Sequence, residues 1–479
     1  MSKPYTPRAY QPMGTEHMLE HKRCALWASM GLGKSVMTMT ALEALYLSGM
    51  SRPTLILGPK RVAESVWSEE VPKWDHLSGL SVSPIVGTIK ERRAAMRLDA
   101  PIYTTNYENL EWLVEQWGDR WPYGTVVADE ATKLKGLRLS VRTSSKGKEF
   151  IAGQGGKRAR ALGMIAHTKV DRFIELTGTP SPNGLKDLWG QMWFLDAGKR
   201  LGRTYEAFKQ RWFERSYDGS NISPREYAEK QIHAAISDIC LTIDAKDYFD
   251  IREPIVNNIY VDLPPKARAL YRAMEKDMFV QLADRTSEAF GAAAKTQKCL
   301  QLASGAVYVD PLADTEASPR SKEWREVHDV KLQALEEVIE EAGGAPVIVV
   351  YEFRSDLERL KKAFPKGRHF STKQDEKDFK AGKIPVLFAH PASMGHGIDG
   401  FQNVCNIMAF FGHNWSLGDY QQSIERIGPV RQLQAGLDRP VFIHHIIARD
   451  TVDELVMERR ESKREVQDIL LDAMKRRNK

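Results

Sequence analysis

Residues Ala28-Ser29-Met30-Gly31-Leu32-Gly33-Lys34-Ser35 constrain the architecture of this chain more than any other stretch. They follow a short apolar run, Cys24-Ala25-Leu26-Trp27, and open a segment, Val36 to Leu47, that lacks Gly and Pro and keeps helical apolar spacing. That order predicts a strand, a glycine turn and a helix N-terminus. Glycine lets backbone N–H groups turn inward around an anion, and the helix dipole adds positive potential at the same point. In such a turn Gly31 and Gly33 would shape the cradle, Lys34 would reach β- and γ-phosphates, and the Ser35 hydroxyl would ligate Mg²⁺. Ala28 stands where the usual phosphate-loop pattern has glycine, so the stretch taken alone also fits a plain turn before a helix.

A second feature narrows the choice. The apolar run Thr125-Val126-Val127-Ala128 ends on Asp129-Glu130-Ala131-Thr132. A carboxylate directly after a buried strand suits the Mg²⁺ that Ser35 would touch, and the neighbouring Glu130 suits orienting or deprotonating a water. A solvated acidic turn is the plainer alternative, disfavoured by the phosphate loop upstream. Further strands are expected at Thr54–Leu57, Pro101–Thr105 and Phe173–Leu176, the last ending on Thr177-Gly178-Thr179-Pro180. A helix carrying Trp67 is expected to follow the first of these and to end near Trp74. Strands alternating with helices, with polar groups gathered where strands end, predict a parallel α/β sheet with a crevice site.

The rest of the chain is read more coarsely. Between Lys133 and Arg160 stand nine Lys/Arg and one acid, Glu149, among Gly and Ser; a mobile loop is expected, either tracking a phosphate backbone or simply solvated. Residues 197–250 read as a charged helical insertion whose aromatics, Tyr205, Phe208, Trp212 and Phe213, pack a core. Ile255–Leu263 reads as a strand entering a second domain, and Pro311–Pro319 as a loop or hinge. A second α/β pattern follows, with strands at 346–351, 385–389, 404–408 and 441–447, and Thr451–Lys479 closes it as an amphipathic helix with a basic end.

Bulk properties exclude several classes. The four cysteines are scattered without a CxxC pair, which argues for reduced, buried thiols over disulfides or zinc. A net charge of +6 permits a polyanionic partner without requiring one. Apolar runs fall short of the roughly 20 residues of a membrane span, and the start lacks a signal-peptide core, so no membrane association and a cytoplasmic or nucleoid location are expected.

Taken in order, these motifs resemble superfamily 2 helicases, and specifically the SNF2-like DNA translocases of compact phage and bacterial type. The likeness runs over nearly the whole chain. Ala28-x-x-Gly31-x-Gly33-Lys34-Ser35 is similar to that family's own phosphate loop, and Asp129-Glu130-Ala131-Thr132 to its DEAH-type box. Leu176-Thr177-Gly178-Thr179-Pro180 with Asn183-Gly184-Leu185 resembles its motif III. Pro59-Lys60 through Trp74 and Thr104-Thr105-Asn106-Tyr107 resemble motif Ia and the motif after it. Phe370-Ser371-Thr372 and Gly395-His396-Gly397-Ile398-Asp399 resemble motifs IVa and V, and Trp415–Arg431 the region through motif VI.

The resemblance implies two RecA-like α/β domains, 1–253 and 254–479, clamping ATP and Mg²⁺ in a cleft that closes and opens with hydrolysis. It implies an adenine-reading role for Gln11, which the residues alone leave equally open as a surface glutamine. It assigns catalysis to Lys34, Asp129 and Glu130, nucleotide contact to Gly397 and Asp399, and coupling to Thr177, Thr179 and Gln422. Lys60, Arg61, Thr104, Asn106 and Ser393 would grip DNA, double-stranded by family preference, with RNA not excluded and a monomeric chain expected. Gln422 and Arg426 keep the family's motif VI spacing, but Pro429 occupies the second arginine position. The arginine finger is therefore either Arg426 or Arg431. A strand-separating helicase and an ATP-gated clamp are the alternatives.

Overall fold

The first strand, β1 (Arg23–Ala28), is apolar on both faces, and all but its first residue are buried. Burial on both faces is the signature of a central parallel strand. The computed structural model describes residues 2–143, 149–182, 184–215, 222–283, 289–308, 323–394 and 397–475. It divides into two compact units, one of Met1–Asp250 together with Lys463–Lys479 and the other of Ile251–Ser462.

In the first unit, β1 is joined by β2 (Thr54–Gly58), β3 (Val82–Pro84), β4 (Ile102–Asn106) and β5 (Thr125–Asp129). The strands β6 (Leu137–Thr143) and β7 (Glu149–Gly155) form a separate antiparallel hairpin. Next come β8 (Arg172–Thr177), a short hairpin of β9 (Phe213–Arg215) and β10 (Ile222–Pro224), and β11 (Cys240–Ile243). Seven of these make one sheet in the order β11-β1-β8-β5-β2-β4-β3, every pair parallel. The helices Gln11–Glu20 and Lys34–Leu47 flank β1 in sequence. A core holding Ala25, Trp27, Leu57, Val126, Ala128 and Phe173 extends to the aromatics Phe208, Trp212 and Phe213, which pack as expected.

The second unit repeats the plan with β12 (Ile255–Val261), a small hairpin of β13 (Ala306–Tyr308) and β14 (Trp324–Glu326), and β15 (Val347–Val350). It continues through β16 (Arg368–His369), β17 (Val386–Ala389), β18 (Ile407–Phe410) and β19 (Phe442–Ala448). Six form a parallel sheet in the order β12-β19-β18-β15-β17-β16. Its faces alternate residue by residue: Ile348, Val350, Leu387 and Met408 lie in one core cluster, and Val347, Val349, Phe388 and Ala409 in another. The helix Val452–Lys475 closes the described chain.

Two expectations are corrected. The basic stretch after Lys133 is not all loop: it forms a hairpin followed by the helix Lys157–Ile165, with Leu137 buried in the core and Leu139 packed against it, apolar positions that the count of charges obscured. Residues 197–250 are not all helical: besides the helices Tyr205–Trp212 and Ala228–Ile236 they deliver β11 to the sheet beside β1. Its four residues, Cys-Leu-Thr-Ile, are too few for periodicity to separate strand from helix. The short strands β3 and β16 were also not anticipated. Pro311–Pro319, Asn183, Gly395, His396 and residues 144–148 lie outside the described residues.

Candidate active site

The phosphate loop spans the gap between β1 and the helix Lys34–Leu47. Gly31 and Gly33 hold φ of 81° and 80°, a left-handed region that glycine enters without penalty. Lys34 folds back over the loop, its Nζ donating to the Ala28 carbonyl at 2.7 Å and the Ser29 carbonyl at 3.4 Å. Ser35 follows on the first helical turn. Gln11 is buried against the same loop: its Nε2 donates to the Leu32 carbonyl at 3.4 Å, and its Oε1 accepts from the Arg8 N–H and the Tyr5 hydroxyl. A Cβ on Gly33 would come within 2.8 Å of that Nε2, so the glutamine amide lies directly against the loop.

The loop after β11 braces the cradle from the other side. The Ser29 hydroxyl donates to Asp244 Oδ1 at 3.4 Å and accepts from the Ala245 N–H at 3.2 Å.

Asp129 and Glu130 emerge from β5, one strand removed from β1 across β8. Burial pushes the Asp129 carboxyl up to about 7; the Glu130 charge pushes the same way, and the Lys34 ammonium opposes both. Lys34 and Asp129 thus share one electrostatic site, which sequence separation alone does not establish. Glu130 has φ 59° and ψ 56°, a left-handed conformation rare for a non-glycine residue. Between the two strands, β8 ends at Thr177, whose Oγ1 accepts from the Thr179 N–H at 3.0 Å; both threonines are buried. Gly178 passes under the loop so closely that a Cβ would sit 3.3 Å from the Ala28 carbonyl oxygen. Gln191 ties this turn to the helix Leu188–Asp196 by donating to the Pro180 carbonyl at 2.8 Å.

In the second unit the two arginines converge on the Ile398-Asp399 segment. Arg426 is buried and donates to the Ile398 carbonyl at 2.9 Å; Arg431 pairs with Asp399 Oδ1 at 2.6 Å. Asp399 itself is largely exposed, Gly397 has φ 72°, and Gln422 is buried on the helix Leu417–Ile424.

The residues expected to grip nucleic acid divide by exposure. Lys60 and Ser393 are exposed, and Arg61 is half-buried. Asn106 is buried at the end of β4, with its Nδ2 on Glu108 and its Oδ1 accepting from Asn109. Thr104 faces the interior, fully buried, with its hydroxyl donating to the Ala63 carbonyl. It is one of five consecutive buried residues in β4, and its hydroxyl anchors the segment after β2 rather than facing outward.

Residues 10–148 match the family model of the SNF2-related domain. Over its length the chain is 53% identical to putative protein p41 of Acyrthosiphon pisum secondary endosymbiont phage 1, covering 99% of this chain and 100% of that protein. This chain belongs to the SNF2-related family. As an SNF2-related chain it carries the machinery of an ATP hydrolase and uses ATP. It is 25% identical to the ATP-dependent DNA helicase DDM1 of Arabidopsis thaliana over 43% of its own length, and spans 25% of that longer protein. Among solved structures, the Sulfolobus solfataricus SWI2/SNF2 ATPase core in complex with dsDNA matches with a TM-score of 0.43 and 22% identity, over 98% of this chain and 95% of that one.

Some residues that build the site of this SNF2-related chain escaped the sequence. Asp244 and Ala245 belong to a stretch read as helical insertion. Tyr107 was visible only as part of a motif, yet its hydroxyl donates to the Asp129 carbonyl at 2.9 Å. All four cysteines are buried thiols, as expected. Among the described residues no helix is long and apolar enough to cross a membrane.

Proposed function

We propose that the chain is an ATP-driven, DNA-stimulated motor that translocates along DNA, probed first as duplex. The observation that carries this reading is the meeting of Lys34, Asp129 and Glu130 at the C-terminal edge of one parallel sheet, the position where open α/β sheets bind ligands. Lys34 would exchange its two carbonyl partners for phosphate oxygens. The donor set suits Mg²⁺: a hydroxyl on the first turn of a helix, and a carboxyl that burial and a neighbouring charge have raised to about 7 and that a cation would return to its ionised form. Ser35 and Asp129 would hold that ion, which supplies charge neutralisation on the β- and γ-phosphates.

Glu130 would accept a proton from the attacking water as the new O–P bond forms and the β–γ bridge breaks. Arg426 and Arg431 are the candidates to neutralise the transferring phosphoryl; such a finger contributes roughly 10³–10⁵ in rate. Lys60, Arg61, Asn106 and Ser393 are the candidate backbone contacts, a mode of grip that carries little sequence preference. The interior position of Thr104 speaks against including it. The phage relative supports a site of action in the nucleoid or cytoplasm of an infected bacterial cell.

The test is ATP turnover without nucleic acid and with duplex DNA, single-stranded DNA or RNA, at two salt concentrations. Stimulation by duplex DNA that fades at higher salt, and that Lys34→Ala and Glu130→Gln abolish, is expected. Turnover that neither variant reduces would overturn the assignment of the site. A second reading, strand separation, is favoured by the hairpin of β6 and β7, which stands outside the main sheet. Preferential stimulation by single strands, with unwinding of a forked duplex, would select it.

A further inference from the structure

Glu130 adopts a backbone conformation that a side chain resists. Among the described residues only three non-glycines have positive φ: Glu130, Ala197 and Asp450. Ala197 caps the C-terminus of a helix, where the left-handed region is routine. Glu130 instead sits between the end of β5 and a single 3₁₀ turn, Ala131–Leu134. A strained φ/ψ persists only where surrounding groups over-determine it.

The over-determining group is Tyr107. Its ring is buried in the core of the first unit, with 1% of its surface exposed. From there the hydroxyl donates to the Asp129 carbonyl at 2.9 Å and lies 3.5 Å from the Glu130 carbonyl. The two carbonyls on either side of the Glu130 Cα are thus addressed by one rigidly held donor. The Glu130 carbonyl also accepts from the Lys133 N–H at 2.9 Å, which starts the 3₁₀ turn. Burial and the charges of Asp129 and Glu130 push the phenol well above its usual range, so it remains a neutral donor.

We propose that Tyr107 is a positioning residue: its hydroxyl holds the Asp129–Glu130 backbone in the left-handed turn that aims the Glu130 carboxylate at the attacking water. This rests on the reading of Glu130 as the water-activating base. The direction Glu130 takes off the strand is set by ψ of Asp129 and φ of Glu130, and the hydroxyl restrains the carbonyls that report both. A carboxylate displaced by about 1 Å from its near-attack position can lose on the order of 10²-fold in rate.

Tyr107→Phe removes the hydroxyl and keeps the ring, so the core packing is preserved. The expected result is a kcat at least tenfold lower, a KM for ATP within twofold of the parent, and a melting temperature within a few degrees. A packing role alone would lower the melting temperature and leave kcat per folded molecule unchanged. A crystal structure of Tyr107→Phe should show Glu130 leaving the left-handed region. The proposal is overturned if kcat stays within twofold of the parent, or if Glu130 keeps φ near 59° in that structure. The second readout holds even if the parent shows no turnover, which would instead overturn the assignment of Glu130 as base.

Discussion

Thr104 and Lys60 show how much a single side chain's direction decides. Both stand in motifs that resemble backbone-gripping segments, yet Lys60 is exposed and Thr104 is buried with its hydroxyl on the Ala63 carbonyl. A phosphate contact and an internal hydrogen bond have different signatures. Lys60→Ala is expected to weaken DNA binding and to lower the slope of log K against log salt by about 1, the share of one phosphate contact. Thr104→Val is expected to leave that slope unchanged and to destabilise the fold by about 1–3 kcal/mol, because a buried carbonyl loses its donor. Binding titrations at three salt concentrations, together with urea unfolding, separate the two.

The helices Val330–Glu341 and Val452–Lys475 are joined by an ion pair that neither helix could support alone. Lys331 Nζ lies 2.5 Å from Asp453 Oδ2, and both side chains are essentially inaccessible to water. Each also has a backbone partner, the Phe411 carbonyl for Lys331 and the Ala448 N–H for Asp453. Desolvation makes such a pair a poor source of net stability, but removing one member strands the other's charge. Lys331→Met is therefore expected to cost about 3–5 kcal/mol. Lys331→Met combined with Asp453→Leu should recover much of that loss, as read by chemical denaturation. The pairing was illegible in advance, because the two residues are distant in sequence and meet only after β18 and β19 have set the positions of both helices.

Across the whole molecule, buried neutral histidines set the response to acid. Burial lowers His17 and His328 to about 4, and His413 and His445 well below the usual value. A depressed pKa means that the unfolded chain binds protons which the folded one refuses. The stabilisation is thus complete above about 6.5, the unfolded value, and is lost as pH falls toward 4. For His328, whose ring bonds to the Leu302 carbonyl at 2.9 Å, the span corresponds to about 3 kcal/mol. Asp356 runs the other way: burial raises it to about 6, so its contribution fades as pH rises. Comparing the parent with His328→Asn isolates the histidine. The variant should lose less stability than the parent between pH 7 and pH 5, and an equal loss would rule out a neutral buried His328.

Local chemistry was enough to place the main strands, the phosphate loop and the acidic turn. Each depends on interactions within a few residues: apolar runs long enough to bury both faces, glycines where φ must be positive, a carboxylate at the end of a strand. The same locality explains what could not be read. Which strand lies beside β1 is a choice among distant segments, and β11 is too short to announce itself. Thr104 is interior because both faces of β4 are covered, which only the packing of the other elements against that strand decides. Tyr107 acquires its role only when β4 and β5 end at the same edge, with one strand between them, and bring a phenol to the carbonyls of residues 22 and 23 positions away. Motif spacing also left Arg426 and Arg431 equivalent. Tertiary structure sends one to the Ile398 backbone and the other to the Asp399 carboxylate, because the chain turns at Gly428 before the helix Pro429–Gln434 begins.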